Sequence, residues 1–283
     1  MPTLWKSANI TPQHKGVKIK CVENYRSISL APIPAKCLER FVYDAMCDHI
    51  FLYLTEWQHC FIKSRSCVTH LTLTHNYWAK SFDNGCQVNV AFLDFSKSFD
   101  GVSHSVLLKT LCSFGVSGSL PRWCGSYSNR SEAKSVNWWL IQWWCIFILV
   151  GKLPWAPQGS LLGTLFLIIL ISDLPSVVLP CNTIALYVDN YKSLRTIDFD
   201  EDLELFQQDL ENLKRWSTLN SMELNVKKCK TMKISRKKHP FASSFFLKKH
   251  WVGGSRLIQG SGCFYWPSLN LELPCELCCF QCK

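Results

Sequence analysis

The chain has 283 residues, 48% of them hydrophobic and 13% aromatic, which excludes a disordered tail and allows one large core or two smaller ones. Its formal net charge of +10, from 31 Lys and Arg against 21 Asp and Glu, favours a polyanionic partner such as nucleic acid, although a basic soluble protein without one is nearly as common. Nothing in the polar start resembles a secretory signal, so we expect an intracellular protein, nuclear or cytoplasmic, whose 16 Cys are mostly free thiols.

The first informative stretch predicts a strand followed by a helix. A half-buried strand is predicted over residues 87–95, because small or polar residues alternate there with apolar ones, and Asp94 falls near its end. Its apolar face consists of Val88, Val90 and Phe92. The helix after it is capped by Ser103 or Ser105 and ended by Gly115.

Two apolar runs occupy the middle of the chain, at residues 138–150 and 161–171. A membrane-spanning helix needs roughly 20 consecutive apolar residues, and both runs are shorter than that. We therefore expect no membrane partner.

A hairpin and a long helix are predicted next. The β-branched and aromatic run 183–188 stops at Asp189 and Asn190, a pair suited to a tight turn, so the hairpin has an acidic tip. The long helix is capped by Asp200 or Asp202 and has one apolar stripe opposite a charged face. The stripe consists of Leu203, Phe206, Leu210, Leu213 and Trp216, and the charged face of Glu204, Asp209 and Glu211.

Asp94 and Asp189 each close a predicted strand. Nucleotidyl transfer needs two divalent metals about 4 Å apart, held by carboxylates. Mg²⁺ prefers such hard oxygen ligands. The two aspartates are therefore candidate ligands of a two-metal magnesium site, although an aspartate at a strand end is more often only a turn residue.

Several sequence blocks resemble those of one enzyme family. AFLDFSKSFDGVSH (91–104) resembles the FLDFSKAFD block of reverse transcriptases from long interspersed elements, and ALYVDN (185–190) resembles their YADD block. Between them, APQGSLLGTLF (156–166) is similar to GVPQGSLLGPLLF. NYRSISL (24–30), EWQHCFIKSRSC (56–67) and LNSMELNVKKCKTM (219–232) are similar to further blocks. Over about residues 5–246, the chain thus resembles the reverse transcriptase domain of a non-LTR retrotransposon.

The resemblance implies an α/β (α+β) fold: a right-hand polymerase palm with an antiparallel sheet, partial fingers and a thumb that is largely missing. The predicted divisions are partial fingers (1–80), the first palm block (81–130), a family-unlike Trp-rich segment (131–155), the remaining palm blocks (156–246) and a family-unlike Cys-rich tail (247–283). We interpret the two family-unlike stretches as out-of-frame coding. The C-x2-C spacing in the tail is typical of zinc sites, but accidental coding is the favoured explanation.

The resemblance also implies partners and residue roles. The partners are an RNA template, a DNA primer and deoxynucleoside triphosphates, with Mg²⁺ as cofactor. Asp94 and Asp189 match the metal-binding aspartates, and Lys228 matches a basic residue that can donate a proton to the leaving pyrophosphate. Phe99 matches the aromatic residue that excludes a ribose 2′-hydroxyl. The remaining matches are Gln158 and Gly159, in the turn against the nascent base pair, and Arg26 and Arg65, near template or triphosphate.

The sequence departs from the family at positions that bear on activity. Asn190 replaces the second aspartate of YADD, which reduces three negative charges to two and predicts little or no polymerisation and a doubtful second metal. Cys60 and Ser64 replace glycines and are expected to strain turns that need positive φ. Two alternatives remain: a non-catalytic module that binds RNA or RNA–DNA hybrid, and the unstable product of a relic reading frame.

Overall fold

A computed structural model describes residues 2, 5, 8–14, 24–96, 98, 104–128, 133–135, 159–188, 190–242, 244–247, 250–251 and 256–259. The chain forms two compact units that interleave along the sequence. The first unit contains Met1–Leu54 and Lys97–Ile171, and the second contains Thr55–Ser96 and Ser172–Lys283. The predicted mixed α/β architecture with antiparallel sheets is confirmed.

In its described residues, the first unit combines a small sheet with the following helices. Strand β1 (Ala8–His14) pairs antiparallel with β2 (Tyr25–Leu30) and parallel with β4 (Ala133–Ser135). The helices are α1 (Ile33–Ile50), α3 (His104–Ser113), α4 (Leu120–Ser128) and α5 (Leu161–Leu170). Helix α5 packs against α1 and α3.

Helix α5 contains the second apolar run, and eight of its residues are buried. No helix in the described part of the chain combines the length and hydropathy that crossing a bilayer would need. The first apolar run and most of the Trp-rich segment lie outside the described residues.

The second unit is organised around a five-stranded sheet in the order β10-β7-β3-β6-β5. Its strands are β3 (Gln87–Asp94), β5 (Asn182–Tyr187), β6 (Asn190–Ile197), β7 (Lys230–Ser235) and β10 (Arg256–Gln259). Strand β3 lies at the centre and pairs antiparallel with β6 and β7. A separate small hairpin joins β8 (Phe246–Leu247) and β9 (His250–Trp251).

The alternation predicted for β3 builds the core of this unit. Val88 and Val90 are fully buried and pack with Trp78 and Phe82 of helix α2 (Cys67–Asp83), with Phe92 partly buried beside them. The long helix α6 (Asp200–Leu219) is also confirmed, and its buried residues include Phe206, Leu210, Leu213 and Trp216. Gly115 follows α3 with φ +78°, as predicted for a helix end.

The helix-cap predictions need correction. The N-cap of α6 is Phe199, and Asp202 in the first turn accepts hydrogen bonds from the backbone N–H groups of Asp198 (3.0 Å) and Phe199 (3.1 Å). Ser105 lies inside α3 and therefore does not cap it, whereas Ser103 lies outside the described residues.

The predicted charged face of α6 is wrong for Asp209. This residue is fully buried, and its carboxylate accepts hydrogen bonds from the backbone N–H of Leu179 (2.7 Å) and from Nδ2 of Asn182 (2.8 Å). The Nε atom of Arg195, also buried, lies 3.7 Å away. The helical period marked Asp209 as exposed because it contains no information about a cationic partner on a distant strand.

Candidate active site

The end of strand β3 carries the first candidate ligand. Asp94 is the last residue of β3, and its Cα pairs with that of Asn190, the first residue of β6. Strands β5 and β6 form the predicted hairpin, in which Tyr187 pairs with Asn190. The turn is therefore one residue earlier than predicted, because Asn190 belongs to the strand. Asp189 lies outside the described residues, next in the chain to Asn190.

A lysine compensates the charge of Asp94. The Nζ atom of Lys228 lies 2.8 Å from Oδ2 of Asp94, and the two side chains are 59% and 15% exposed. No hydrogen bond from the described residues reaches this buried oxygen, so the contact is an ion pair without aligned hydrogen-bond geometry. Oδ2 therefore keeps ligand capacity, and an exposed lysine can move away from it at small cost.

The backbone around this ion pair is fixed. The backbone N–H of Asn225 donates to the carbonyl of Asp94 (2.8 Å), and that of Ser96 donates to the carbonyl of Glu223 (2.7 Å). The neighbouring thiol of Cys229 is buried, and burial raises its pKa. The segment that carries Lys228 is thus attached to the end of β3, which keeps the lysine beside Asp94.

The donor atoms at this strand end fit magnesium. A carboxylate oxygen that lacks a hydrogen bond is the hard ligand that Mg²⁺ prefers. Within the described residues, no group of three or more His, Cys, Asp or Glu could hold a metal ion by itself. Asp189 and the C-terminal cysteines at positions 275, 278, 279 and 282 lie outside the described residues.

The turn before helix α5 requires glycine at position 159. Gly159 has φ +100°, and a Cβ atom built there would lie 3.1 Å from the backbone oxygen of Ser29 and 3.5 Å from Cγ2 of Ile28. Both contacts lie on β2, the strand that also contains Arg26. The backbones approach so closely that a side chain would collide. Gln158 and the side chain of Arg26 lie outside the described residues.

A buried carboxylate anchors the same turn. Oε1 of Glu39 accepts hydrogen bonds from the hydroxyl of Tyr127 (2.7 Å), from Oγ of Ser160 and from the backbone N–H of Leu162 (3.0 Å). Ser160 also caps α5 by accepting from the backbone N–H of Gly163 (3.0 Å). Sequence reasoning missed Glu39, because an acid on an amphipathic helix is usually exposed.

The other matched basic and aromatic positions are only partly described. Nη1 of Arg65 donates to three backbone carbonyls, those of Thr55 (3.0 Å), Glu56 (2.9 Å) and Gln58 (2.6 Å). Phe99 lies outside the described residues. Position 65 therefore holds a backbone segment in place, whatever further contact its guanidinium makes.

The two lost glycines behave differently. Ser64 has φ +66°, which confirms that this position needs a conformation that favours glycine. Cys60 has no positive φ, so the strain predicted there is wrong, and the neighbouring Phe61 takes φ +57° instead.

Two buried basic side chains near the hairpin, Lys192 and His70, were also missed. Lys192 pairs with Phe92, two residues from the Asp94–Asn190 pair, and is 7% exposed. Burial lowers its pKa to about 8. Burial also lowers the pKa of His70 to about 3, and the charge of Lys192 contributes. No sequence pattern indicated either residue, because both occupy positions that tertiary packing alone buries.

Comparisons with known proteins agree with this architecture. A profile of the family described as reverse transcriptase (RNA-dependent DNA polymerase) matches residues 13–242. A search of curated proteins finds no match. Apo telomerase from Candida tropicalis, truncated from its C-terminal domain, is similar with TM-score 0.53 and 10% identity over 88% of this chain and 53% of that chain. Telomerase from Candida albicans in complex with a TWJ fragment of telomeric RNA is similar with TM-score 0.53 and 11% identity, over 90% and 46%.

The chain spans about half the length of these two structures, 53% and 46%. At 10% and 11% identity the likeness establishes the fold alone. That fold is of the polymerase palm type, as the sequence predicted.

Proposed function

The chain belongs to the reverse transcriptase family, whose profile matches 13–242, and from this premise we propose that it is the RNA-directed DNA polymerase domain of a non-LTR retrotransposon, with activity impaired at Asn190. The type is inferred from the blocks FLDFSKSFD, APQGSLLG and YVDN. The observation that carries the proposal is the pairing of Asp94 with Asn190, which brings a carboxylate with an unsatisfied oxygen beside the residue that follows Asp189.

The proposed partners are an RNA template, a DNA primer and deoxynucleoside triphosphates. The RNA template is supported by a solved structure with a similar fold, that of Candida albicans telomerase in complex with a fragment of telomeric RNA. The net charge of +10 favours polyanions in general.

Asp94 and Asp189 would hold the magnesium. When bound, Mg²⁺ stabilises the charge on a transferring phosphoryl group. The ammonium group of Lys228 lies 2.8 Å from Oδ2 of Asp94, which supports its proposed role as the donor of a proton to leaving pyrophosphate. Asn190 offers a neutral amide where the family has a carboxylate, so the site holds less negative charge and binds cations less tightly.

The test is primer extension on an RNA template with Mg²⁺, comparing the wild-type chain with Asn190→Asp. We expect no measurable extension by the wild type and template-dependent extension by Asn190→Asp, which Asp94→Asn in the same background should abolish. Comparable extension by the wild type would show that Asn190 does not impair activity. The absence of primer extension by Asn190→Asp would contradict the proposal that this chain is a polymerase domain.

A second candidate function is suggested by Asn190 together with the positive charge: a palm that grips RNA or RNA–DNA hybrid without turnover. Three results would favour this module: affinity for RNA that falls steeply with salt, affinity that Asp94→Ala does not change, and no primer extension by Asn190→Asp.

A third interpretation is that the chain is the unstable product of a relic reading frame. The absence of a cooperative unfolding transition would favour it.

A further inference from the structure

We propose that Gln58, held in place by Arg65, is a positioning residue that fixes the turn leading into Asp189. The inference deepens the proposed function, because it concerns how the chain places one of the two proposed magnesium ligands. It concerns only residues of the second unit.

The segment around Gln58 extends the five-stranded sheet beyond strand β5. Gln58 forms a parallel bridge with Leu186. The backbone N–H of Leu186 donates to the carbonyl of Trp57 (3.0 Å), and the backbone N–H of His59 donates to the carbonyl of Leu186 (3.1 Å). These bonds fix the position of Gln58 along the strand that enters the hairpin turn.

The side chain of Gln58 reaches the turn itself. It is 1% exposed, and its Oε1 accepts hydrogen bonds from the backbone N–H groups of Cys60 (3.1 Å) and Val188 (3.3 Å). Its Nε2 is buried and has no hydrogen-bond partner among the described residues. The oxygen is therefore the atom through which Gln58 acts.

Val188 needs such a restraint. It precedes Asp189 directly and has φ +57°, a conformation that is unfavourable for a β-branched residue. Strained backbone persists only where surrounding contacts hold it. The hydrogen bond from Val188 to Gln58 is such a contact, one residue before the proposed ligand.

Arg65 completes the support. Its Nη1 donates to the carbonyls of Thr55, Glu56 and Gln58, so the guanidinium group holds the segment that positions the glutamine. Residues that orient a metal ligand from outside the coordination shell typically change metal affinity about 10-fold to 100-fold when they are replaced.

The first experiment measures hydrogen–deuterium exchange of the hairpin peptide in Gln58→Met, which keeps the side-chain volume and removes the acceptor. The matched control is Gln87→Met, since Gln87 is also fully buried, accepts from the backbone N–H of Phe241 (2.8 Å) and lies at the opposite end of β3. Loss of one hydrogen bond should accelerate exchange of the Val188 amide about tenfold in Gln58→Met, without acceleration in the control.

Gln58→Glu provides the rescue, because a glutamate keeps the accepting oxygen and replaces the unpaired Nε2 with a second carboxyl oxygen, in a buried site that favours the neutral acid. We expect it to retain slow exchange of Val188. Unchanged exchange in Gln58→Met, or equal acceleration in both Met variants, would overturn the proposal. If Gln58→Met does not fold, Arg65→Leu asks the same question, since leucine removes every donor to the carbonyls of Thr55, Glu56 and Gln58.

The second experiment titrates the chain with Mn²⁺ as a paramagnetic probe, without nucleotide or nucleic acid. We expect about tenfold weaker binding in Gln58→Met and in Arg65→Leu, and unchanged binding in Gln87→Met. Equal affinity in all variants would overturn a positioning role toward the metal. If the wild type binds no Mn²⁺, the magnesium part of the proposed function fails, while the exchange result still decides whether Gln58 fixes the turn.

Discussion

Glu39 in the first unit and Asp94 in the second show two different uses of a carboxylate. Glu39 is 2% exposed and receives three hydrogen bonds from its own chain, from Tyr127, Ser160 and Leu162. Oδ2 of Asp94 is also buried, but among the described residues it is compensated only by the ammonium group of Lys228, whose side chain is 59% exposed.

The difference indicates that Glu39 stabilises the fold, whereas Asp94 is available to bind a ligand. Buried polar atoms are nearly always hydrogen-bonded, and Glu39 follows that rule within the first unit. Within the part of the chain that the structure describes, Asp94 departs from it at a strand end, where a bound cation would supply the missing partner. The following predictions test this contrast, from the largest expected effect to the smallest.

Replacing Glu39 should destabilise the fold most. In Glu39→Ala three buried donors lose their acceptor, so we expect the free energy of unfolding to fall by about 3–5 kcal/mol. Urea denaturation measures the change. Glu39→Gln should lose clearly less of the free energy of unfolding, because its amide oxygen still accepts hydrogen bonds. Equal losses in the two variants would mean that the negative charge, rather than the hydrogen bonds, stabilises the fold at this position.

Gly159→Ala should cost about 2 kcal/mol, because the added Cβ meets both an unfavourable φ and the backbone of Ser29. Gly85→Ala is the matched control: Gly85 has φ +71°, and nothing lies within 4 Å of its added Cβ. The difference between the two free energies of unfolding isolates the close approach to β2. The close approach would carry no energy if both variants lost the same amount.

Acid should weaken the second unit through His70. Its pKa of about 3 in the folded chain lies below its ordinary value of 6.5, so between these two pH values the unfolded chain binds a proton at His70 that the folded chain does not bind. This contribution to stability is complete above pH 6.5 and is lost as the pH falls towards 3. We expect a loss of up to about 2 kcal/mol between pH 7 and pH 5.

His70→Phe should flatten that part of the pH profile, measured by denaturation at each pH. His75→Gln, an exposed position on the same helix, should keep the wild-type slope. A slope that survives His70→Phe would assign the acid sensitivity to other groups.

Ser64→Gly should stabilise the chain by about 0.5–1 kcal/mol, because φ +66° is unfavourable for serine and accessible to glycine. The thermal midpoint should rise accordingly. A fall would mean that the entropy glycine loses on folding exceeds the strain that it relieves.

Asp94→Asn should change the free energy of unfolding least, by about 0.5 kcal/mol or less, because it loses only an ion pair with an exposed lysine. The same denaturation series measures it. A loss near that of Glu39→Ala would erase the contrast between the two carboxylates and weaken the case for a ligand at Asp94.

Local patterns in the sequence predicted the strand, the hairpin and the long helix that surround the candidate site. The two-residue period placed Val88 and Val90 in the core, and the helical period placed Phe206 and Trp216 on the buried side of α6. Hairpin chemistry predicted the β5–β6 turn to within one residue. These features depend on neighbouring residues, which the sequence displays directly.

By itself, the sequence determined strand β3, the β5–β6 hairpin, helix α6, the family and the position of Asp94 at a strand end. Only the tertiary structure decided that Glu39 and Asp209 are buried and that Gln58 reaches Val188. The hydrogen bonds from Tyr127 to Glu39 and from Val188 to Gln58 join residues 88 and 130 positions apart. Periodicity cannot show such partners, because the burial of a polar group depends on donors and acceptors that distant segments bring to it.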